Sequence, residues 1–327
     1  MSKPRILILG KRGGILQWYE GLLAAQTSLP EFSIHGFAFN HNHWQERFFK
    51  KLLKLIGANT EHYTARLLAK KIQQIQPDII LITDLFYLDT SILKALQTAK
   101  PKATIYHWIG DFFDQRLTAS QSTIDQFLFT DSTFIEDAHL LGISQATYLP
   151  LAFNPQVFCP PALPTARHHQ LLLIGAWSEN RQALLSQLDI PITIYGKGWD
   201  QLKAKHVTVH PYNISLTQVA SLYQQYQYVL NIINRNNTRI GLNMRCFEAM
   251  GAGATLITEY SSDLERCFDI DNDLIYFNNA TELIDKMASL PLIDAKASCQ
   301  KVHQQHTYAE RIKLIVQLTN RSTKKSI

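Results

Sequence analysis

The chain has 327 residues, of which 46% are hydrophobic and 18% charged, so its composition is that of a globular protein and excludes a disordered chain. Because domains average roughly 150 residues, this length predicts two domains. The formal net charge of +5 is too mild to indicate a nucleic-acid-binding protein, although it suits anionic substrates or a membrane surface.

The sequence shows no run of 18 apolar residues and no long apolar segment after its first residues. It therefore predicts neither a membrane-spanning helix nor a signal peptide, and the expected location is the cytoplasm. The four cysteines lack CxxC spacing, which fits a reduced compartment and predicts neither a zinc site nor a disulfide framework. The twelve histidines show no HExxH or other metal-binding spacing, so no metal and no other cofactor is expected.

In the first part of the chain, short apolar runs alternate with helical patterns. Arg5–Gly10 predicts a buried strand, and a turn with Gly13 and Gly14 separates it from a helix that starts near Ile15. The other predicted strands are residues 32–40, 77–84, Thr104–Ile109 and 126–130, and the other predicted helices are residues 43–56, 61–76, 91–99 and 132–141. Apolar strands between helices are typical of a parallel sheet covered on both faces.

Five prolines in residues 148–164 interrupt helix and sheet alike and predict an interdomain linker. A second series follows, with strands at 170–176, 192–196, Val207–His210, 228–234 and Thr255–Glu259 and helices at 179–188, 216–226, 243–250 and 281–290. The sequence therefore predicts an α/β protein with two Rossmann-like parallel-sheet domains, residues 1–150 and 151–305, facing a cleft. Ligands of such sheets bind beyond the carboxyl ends of the strands.

The segment RIGLNMRCFEAMGAGATLITE, residues 239–259, is the most informative part of the sequence. Arg245 and Glu248 are three residues apart and therefore neighbours on one face of the predicted helix. A cation and a carboxylate near a helix start could hold a phosphate and a sugar hydroxyl. The alternative is an ion pair on a solvated helix, and the spacing alone favours it.

This segment resembles the donor-site helix of GT-B glycosyltransferases. It is especially similar to the CgeB-like (spore maturation protein type) glycosyltransferases, whose pattern reads roughly N-x-R-x-F-E-A-x-A-x-G before an apolar strand. The matching residues here are Asn243, Arg245, Phe247, Glu248, Ala249, Gly251 or Gly253, and 256–258. Further segments that agree are YLPLA at 148–152, NP at 154–155, VF at 157–158, 172–176 with Asn180 and Arg181, and His306, Thr307, Tyr308 and Arg311. The resemblance covers roughly residues 145–315, and the first half agrees only in architecture.

The resemblance implies metal-independent transfer of a sugar from a nucleotide-diphosphate sugar to a glycan, lipid-linked or protein hydroxyl. The first domain would bind the acceptor and the second the donor, and a helix in residues 306–327 would cross back to the first domain. Arg245, with Arg181 or Lys197, would bind the diphosphate, which leaves as an anion. Glu248 would bind the ribose, and Asn243 would also line the donor site.

One position departs from the related retaining families, which share a Glu-x7-Glu motif. Ile240 stands eight residues before Glu248, where the first glutamate would be, so a retaining outcome is not implied. The missing glutamate supports an alternative, a non-catalytic nucleotide-sugar-binding protein. A nucleotide-sugar epimerase or hydrolase of the same fold is a further alternative.

Two aspartates, Asp84 and Asp111, end predicted strands, where a carboxylate could act as general base on an acceptor hydroxyl. Asp111, in the sequence HWIGD, is the stronger candidate, although an Asx turn or helix cap is the more common use of such a residue. Gly13 and Gly14 could let the backbone approach the diphosphate or sugar, or could simply form a tight turn. Lys197 could likewise be an ordinary turn residue instead of a ligand of the diphosphate.

Residues 43–56, HWQERFFKKLLKLI, predict a basic amphipathic helix. Such a helix could lie on an anionic membrane surface and bring a lipid-linked acceptor close. The pattern fits an outer helix of the sheet as well, and that interpretation is favoured.

Overall fold

The computed structural model describes residues 3–13, 18–40, 60–83, 87–100, 102–163, 166–202, 204–210 and 214–325. Its internal contacts divide the chain into two compact units. Unit 1 comprises Met1–Leu149 and Tyr308–Ile327, and unit 2 comprises Pro150–Thr307. Gly14, Asp84 and the predicted helix at 43–56 lie outside the described residues.

Unit 1 is built on a parallel sheet whose six described strands have the order β2-β1-β3-β4-β5-β6. The strands are β1 (Arg5–Gly10), β2 (Ser33–Ala38), β3 (Ile79–Ile82), β4 (Thr104–Ile109), β5 (Gln126–Phe129) and β6 (Ala146–Tyr148). The helices are α1 (Trp18–Ala24), α2 (Thr60–Ile75), α3 (Thr90–Gln97) and α4 (Phe134–Leu140), with 3-10 helices at Ala25–Ser28 and Gln115–Ser120.

The apolar runs of the sequence form the central strands of this sheet. Every residue of β3 is buried, and so are the last five residues of β1. Burial of consecutive strand residues means that both faces of the sheet are covered, as the alternation of strands and helices predicts.

Unit 2 has a second parallel sheet, with its six described strands in the order β12-β11-β10-β7-β8-β9. The strands are β7 (His168–Ile174), β8 (Ile192–Tyr195), β9 (Val207–His210), β10 (Tyr226–Asn231), β11 (Thr255–Glu259) and β12 (Ile275–Phe277). The helices are α5 (Glu179–Leu185), α6 (Leu216–Gln225), α7 (Met244–Gly251), α8 (Ser262–Cys267), α9 (Ala280–Ala288) and α10 (Ala295–Gln305). The strand order reverses between β7 and β10, and open α/β sheets bind ligands beside such a reversal, at the carboxyl ends of the strands. We call the carboxyl ends of β7 and β10 the switch point.

The last helix, α11 (Tyr308–Lys325), belongs to unit 1. A Cβ atom on Gly21 of α1 would lie 2.3 Å from the ring of Tyr308, so this glycine lets the aromatic ring pack directly on the α1 backbone. The hydroxyls of Tyr106 in β4 and Thr319 in α11 are 2.9 Å apart and hydrogen-bonded. Unit 1 is therefore assembled from two separate stretches of the sequence.

Four elements, β6, β12, α8 and α10, are absent from the predicted series. The two strands have only three residues each, too few to show an alternation of apolar and polar residues. Helix α10 buries Ser298, Cys299 and Val302, which do not form an obvious apolar stripe. The predicted strand at 228–234 is shifted, because β10 begins at Tyr226 and ends at Asn231, after which the chain forms a loop. Within the described residues, no helix has both the length and the hydrophobicity to cross a membrane.

Candidate functional site

The loop that follows β10 is held in place at the switch point by three side chains from two neighbouring elements, α5 and β11. The guanidinium of Arg181 in α5 donates to the Ile232 carbonyl from Nε at 3.1 Å and from Nη2 at 2.9 Å. Asn180 donates from Nδ2 to the Ile233 carbonyl at 2.9 Å. The Ile233 N–H in turn donates to Oε2 of Glu259, at the end of β11, at 3.1 Å. The peptide groups at Ile232 and Ile233 are therefore fixed relative to β7, β10 and β11.

Arg181 lies at the predicted site, but its guanidinium is directed at backbone carbonyls. Its third hydrogen bond runs from Nη1 to the Ala176 carbonyl at 2.7 Å, and the residue is only 4% exposed. Burial, together with the nearby charge of Arg245, lowers the pKa of Arg181 to about 10 against the opposing effect of the Glu259 charge. The structure thus gives Arg181 a role in joining two loops, and its contact with a diphosphate stays a prediction.

Asn243 is the N-cap of α7 and part of a polar network beneath the switch point. Its Oδ1 accepts from the Arg245 N–H at 3.1 Å, and its Nδ2 donates to Oδ1 of Asn231 at 2.7 Å. Asn231, which is buried, donates from Nδ2 to Oγ1 of Thr258 at 3.0 Å. Because side-chain caps stabilise a helix start and fix its direction, this network sets where Arg245 emerges from α7.

Arg245 is half-buried in the first turn of α7. No hydrogen bond or ion pair joins its guanidinium to another residue in the described part of the chain. Its charge lies close enough to the buried Arg181 to act on the pKa of that residue. Two neighbouring cations, one of them without a partner among the described residues, raise the local potential against the opposing charge of Glu259, which suits an anionic ligand.

Glu248 lies one turn further along α7 and is 8% exposed. Burial raises its pKa to about 7, against the opposing effect of the Arg245 charge. Within the residues that the structure describes, its carboxyl group has no hydrogen-bond partner and forms no ion pair with Arg245. The helix is therefore not solvated at this position, and near neutral pH the carboxyl group is divided between its protonated and ionised forms.

The raised pKa of Glu248 gives the protein a pH-dependent stability. Below pH 4.5 the carboxyl group is protonated in both the folded and unfolded chain, whereas above about pH 7 the folded chain must hold it ionised and buried. The free energy of unfolding should therefore fall as the pH rises from 4.5 to 7, by up to about 3 kcal/mol at 1.36 kcal/mol for each pH unit.

The Glu248→Gln variant should lack this decline and be the more stable protein at pH 8, as measured by urea denaturation at pH 5 and pH 8. Glu282→Gln serves as the control and should keep the decline between pH 5 and pH 8. Glu282 forms an ion pair with Lys286 on α9, and its pKa is lowered to about 2, so it is ionised at both pH values. A Glu248→Gln variant with the same pH dependence as the wild type would contradict the assignment.

Lys197 lies on the loop after β8, beside the loop after β7. The Trp177 N–H donates to the Lys197 carbonyl at 2.8 Å, and Trp199 donates from Nε1 to the Gly175 carbonyl at 2.8 Å. The side chain of Lys197 is exposed. One backbone hydrogen bond and one from the Trp199 side chain thus join the two loops, with Lys197 on the β8 side of the switch point.

The two described candidates of unit 1, Asp111 and Gly13, follow strands β4 and β1 at the carboxyl edge of its own sheet. Asp111 is half-buried two residues after β4. Gly13 is exposed with φ +73°, and its N–H donates to Oε1 of Glu20 at 2.9 Å, which agrees with the tight-turn interpretation. Neither observation tests a catalytic or ligand-binding role. By contrast, Asp114 caps a 3-10 helix and pairs with Arg116, which holds its pKa well below its usual range.

Three residues at the switch point were not among the predicted site residues. Glu259 ends an apolar strand, as Asp84 and Asp111 are predicted to do, so the same rule would have found it. Asn180 stands beside Arg181 in a segment that carries the resemblance, but the resemblance implies no role for it. Arg235 lies in a polar loop without any spacing signal, and only the fold brings it to Glu259. Among the described residues, no three His, Cys, Asp or Glu side chains lie together as metal ligands would.

Sequence comparison matches residues 178–317 to the family model described as glycosyl transferase-like. The match covers less than half of the chain and lies mostly in unit 2, from the start of α5 onward. No curated protein matches the chain in sequence.

Several solved structures share the fold over nearly the whole chain. A glycosyltransferase from Rickettsia africae ESF-5 is 10% identical with a TM-score of 0.63, covering 98% of this chain and 99% of its own. AviGT4, a glycosyltransferase involved in avilamycin A biosynthesis, is 11% identical with a TM-score of 0.65 and 97% coverage of both chains. Anabaena HepE, crystallised with UDP-glucose, is 12% identical with a TM-score of 0.55, covering 99% of this chain and 100% of its own. The predicted fold class, GT-B with two Rossmann-like units, is confirmed.

Proposed function

We propose that this chain is a glycosyltransferase, which transfers a sugar from a nucleotide-diphosphate sugar bound at the switch point of unit 2 to an acceptor hydroxyl bound by unit 1. The main observation is the Arg245 guanidinium, which lies beside the buried Arg181 without a partner in the described part of the chain. A departing nucleoside diphosphate develops negative charge, and cations placed beforehand stabilise it. The glycosyl transferase-like match of residues 178–317 and the GT-B fold support the same general class.

Each candidate residue has a distinct part in this reaction. Arg245 binds the diphosphate, with Lys197 as an additional contact, and Arg181 and Asn243 fix the loops and the helix around it. Glu248 binds the ribose, because a carboxyl group with a pKa near 7 can both accept and donate a hydrogen bond to a hydroxyl pair. We propose that these side chains, rather than a metal ion or another cofactor, balance the charge of the leaving group.

In the transfer step, Asp111 takes the proton of the acceptor hydroxyl, whose oxygen forms a bond to the anomeric carbon of the sugar. The bond between that carbon and the diphosphate oxygen breaks, and its electron pair leaves with the nucleoside diphosphate. The backbone at Gly13 contributes contacts on the side of unit 1. The support for Asp111 is its half-buried position two residues after β4, at the carboxyl edge of the sheet of unit 1.

Within the general class, we propose the CgeB-like group. The terminal segment that resembles this group packs against the helix that resembles it. The ring of His306 lies 5.1 Å from that of Phe247 in α7 and 5.3 Å from that of Phe268, and its Nε2 is 3.0 Å from the Cys267 carbonyl. His306 of the terminal segment and Phe247 of α7 therefore belong to one packed cluster within unit 2.

We propose a cytoplasmic protein that contacts the inner face of the membrane peripherally. The support is the basic amphipathic sequence of residues 43–56, which lies outside the described residues. An acceptor linked to a lipid would then reach unit 1 from the membrane surface.

A non-catalytic protein that binds a nucleotide sugar is the second candidate, favoured by Ile240 in the place of a glutamate. It would bind the same donor through Arg245 and Glu248. The two functions differ in turnover, since only the transferase releases a nucleoside diphosphate when an acceptor is supplied.

A thermal-shift screen against UDP, GDP, TDP, ADP, CMP and their sugars tests the donor site. A ligand present at 100 times its Kd stabilises the native state by about 2.7 kcal/mol, so we expect one nucleoside diphosphate to raise the Tm by several degrees. CMP, with a single phosphate, serves as the control and should shift the Tm less. A screen in which no diphosphate stabilises the protein would contradict the proposal, and donor binding without turnover would support the non-catalytic alternative.

A further inference from the structure

Arg235 lies on the loop of residues 232–243 that connects β10 to α7. Its Nη2 forms an ion pair with Oε1 of Glu259, and its Nη1 donates to the Arg239 carbonyl at 3.4 Å. The side chain is 51% exposed, whereas that of Glu259 is 13% exposed. A nearly buried carboxylate thus holds an arginine whose guanidinium still faces outward.

Glu259 fixes the backbone of this loop as well as its arginine. Its second oxygen, Oε2, accepts from the Ile233 N–H at 3.1 Å, and the neighbouring carbonyls are held by Arg181 and Asn180. The base of the Arg235 loop is therefore fixed from both sides. An arginine on a fixed loop loses less conformational entropy when it binds a ligand than one on a free loop.

A diphosphate has two anionic phosphate groups. In the proposed site, Arg245 is the cation that binds one of them, so the second phosphate needs a further donor. Arg181 directs three of its N–H groups at backbone carbonyls, so it is poorly placed to bind a second phosphate. A guanidinium has five N–H groups, and the two contacts of Arg235 use one each from Nη1 and Nη2. Further N–H groups of Arg235 can therefore donate to a ligand in the planar geometry that suits phosphate.

We infer that Arg235 is a second cation for the diphosphate at the switch point and that Glu259 is its positioning residue. The inference rests on the proposed function and adds a residue to its donor site. The positioning role of Glu259 and a simple charge argument predict opposite effects of a Glu259 substitution on anion binding. If only net charge mattered, removing the negative charge of Glu259 would strengthen the binding of an anion, whereas loss of a positioning residue weakens it.

Isothermal titration of the full chain with inorganic pyrophosphate, and with the nucleoside diphosphate that the screen identifies, tests the inference. Arg235→Gln should raise the Kd for pyrophosphate and the Kd for the nucleoside diphosphate by at least tenfold each, and Arg235→Lys should raise them by less. Glu259→Gln should raise both values several-fold. None of the three should change the affinity for the bare nucleoside. Arg266→Gln is the matched control, because Arg266 is 57% exposed and pairs with the buried Asp263 in the same unit, and its Kd values should equal those of the wild type.

The outcomes separate the inference from the proposed function. Wild-type affinity in Arg235→Gln, with binding lost in Arg245→Gln, would overturn the inference and leave the proposed function standing. Failure of wild type to bind any diphosphate would overturn both. Tighter binding by Glu259→Gln would overturn the positioning role of Glu259. If Glu259→Gln fails to fold, Arg235→Gln still decides, because its side chain is half-exposed and its loss leaves the Ile233 hydrogen bond in place.

Discussion

Replacing Arg245 by glutamine should lower kcat/KM of the transfer reaction by roughly 10²–10³-fold, the usual effect of removing one group that stabilises developing charge. Arg245 is the cation in the first turn of α7 that has no partner within the described residues. The same substitution should weaken the binding of nucleoside diphosphate, as measured by thermal shift and titration. Arg245→Lys keeps the charge but loses the planar donor geometry, so an intermediate loss is expected.

Stability distinguishes this role of Arg245 from a structural one. The charge of Arg245 is repelled by the buried charge of Arg181 and attracted by the ionised carboxylate of Glu248. At pH 5, where the Glu248 carboxyl group is protonated, Arg245→Gln should therefore be at least as stable as the wild type without ligand. Arg66→Gln, an exposed position on α2 in unit 1, is the control and should change neither activity nor stability. Two results would disprove the assignment. Arg245→Gln could keep wild-type activity, or it could lose activity because it unfolds.

Replacing Gly196 by alanine should destabilise unit 2 by about 3 kcal/mol or more, at the upper end of the cost of overpacking. A Cβ atom on Gly196 would lie 1.8 Å from the Gly175 carbonyl oxygen and 2.7 Å from Nε1 of Trp199. The nearest group is backbone, which cannot swing aside as the end of a side chain can. Relief of the overlap requires the loops after β7 and β8 to separate.

Urea denaturation and the Tm of the full chain measure this effect. Gly142→Ala is the control, because Gly142 has φ +81° and, among the described residues beyond its chain neighbours, no atom lies within 4 Å of its Cβ position. It therefore reports the cost of backbone conformation alone, about 1–2 kcal/mol. The Gly196 substitution should also weaken donor binding, since both loops border the switch point. Equal stability of wild type and Gly196→Ala would show that the close approach of these loops is not required.

Much of the fold could be predicted from local patterns. The central strands β1, β3, β4, β10 and β11 are short apolar runs, and such runs form strands wherever both faces of a sheet are covered. The missed elements β6 and β12 are short edge strands, stabilised by pairing with a neighbour rather than by their own composition. Their existence depends on partners that are distant in sequence.

The candidate site was partly predictable for a similar reason. Asn243, Arg245 and Glu248 are close in sequence and on one helix, so spacing and resemblance together point to them. What the spacing did not show is that Glu248 is buried and that Arg181 binds carbonyls of the loop after β10. Burial of a polar residue depends on what packs over it, which a helical wheel does not include.

The amino-acid sequence by itself determined the fold class, the order of the central strands and helices, and the segment that provides the candidate donor residues. These follow from hydrophobic periodicity and short-range spacing, which act within single elements. Only the tertiary structure decided that Glu259 reaches Ile233 and Arg235, and that Arg245 lies near Arg181. The contacts of Glu259 follow from the pairing of β10 with β11. The proximity of Arg245 to Arg181 follows from the pairing of β10 with β7, where the strand order reverses.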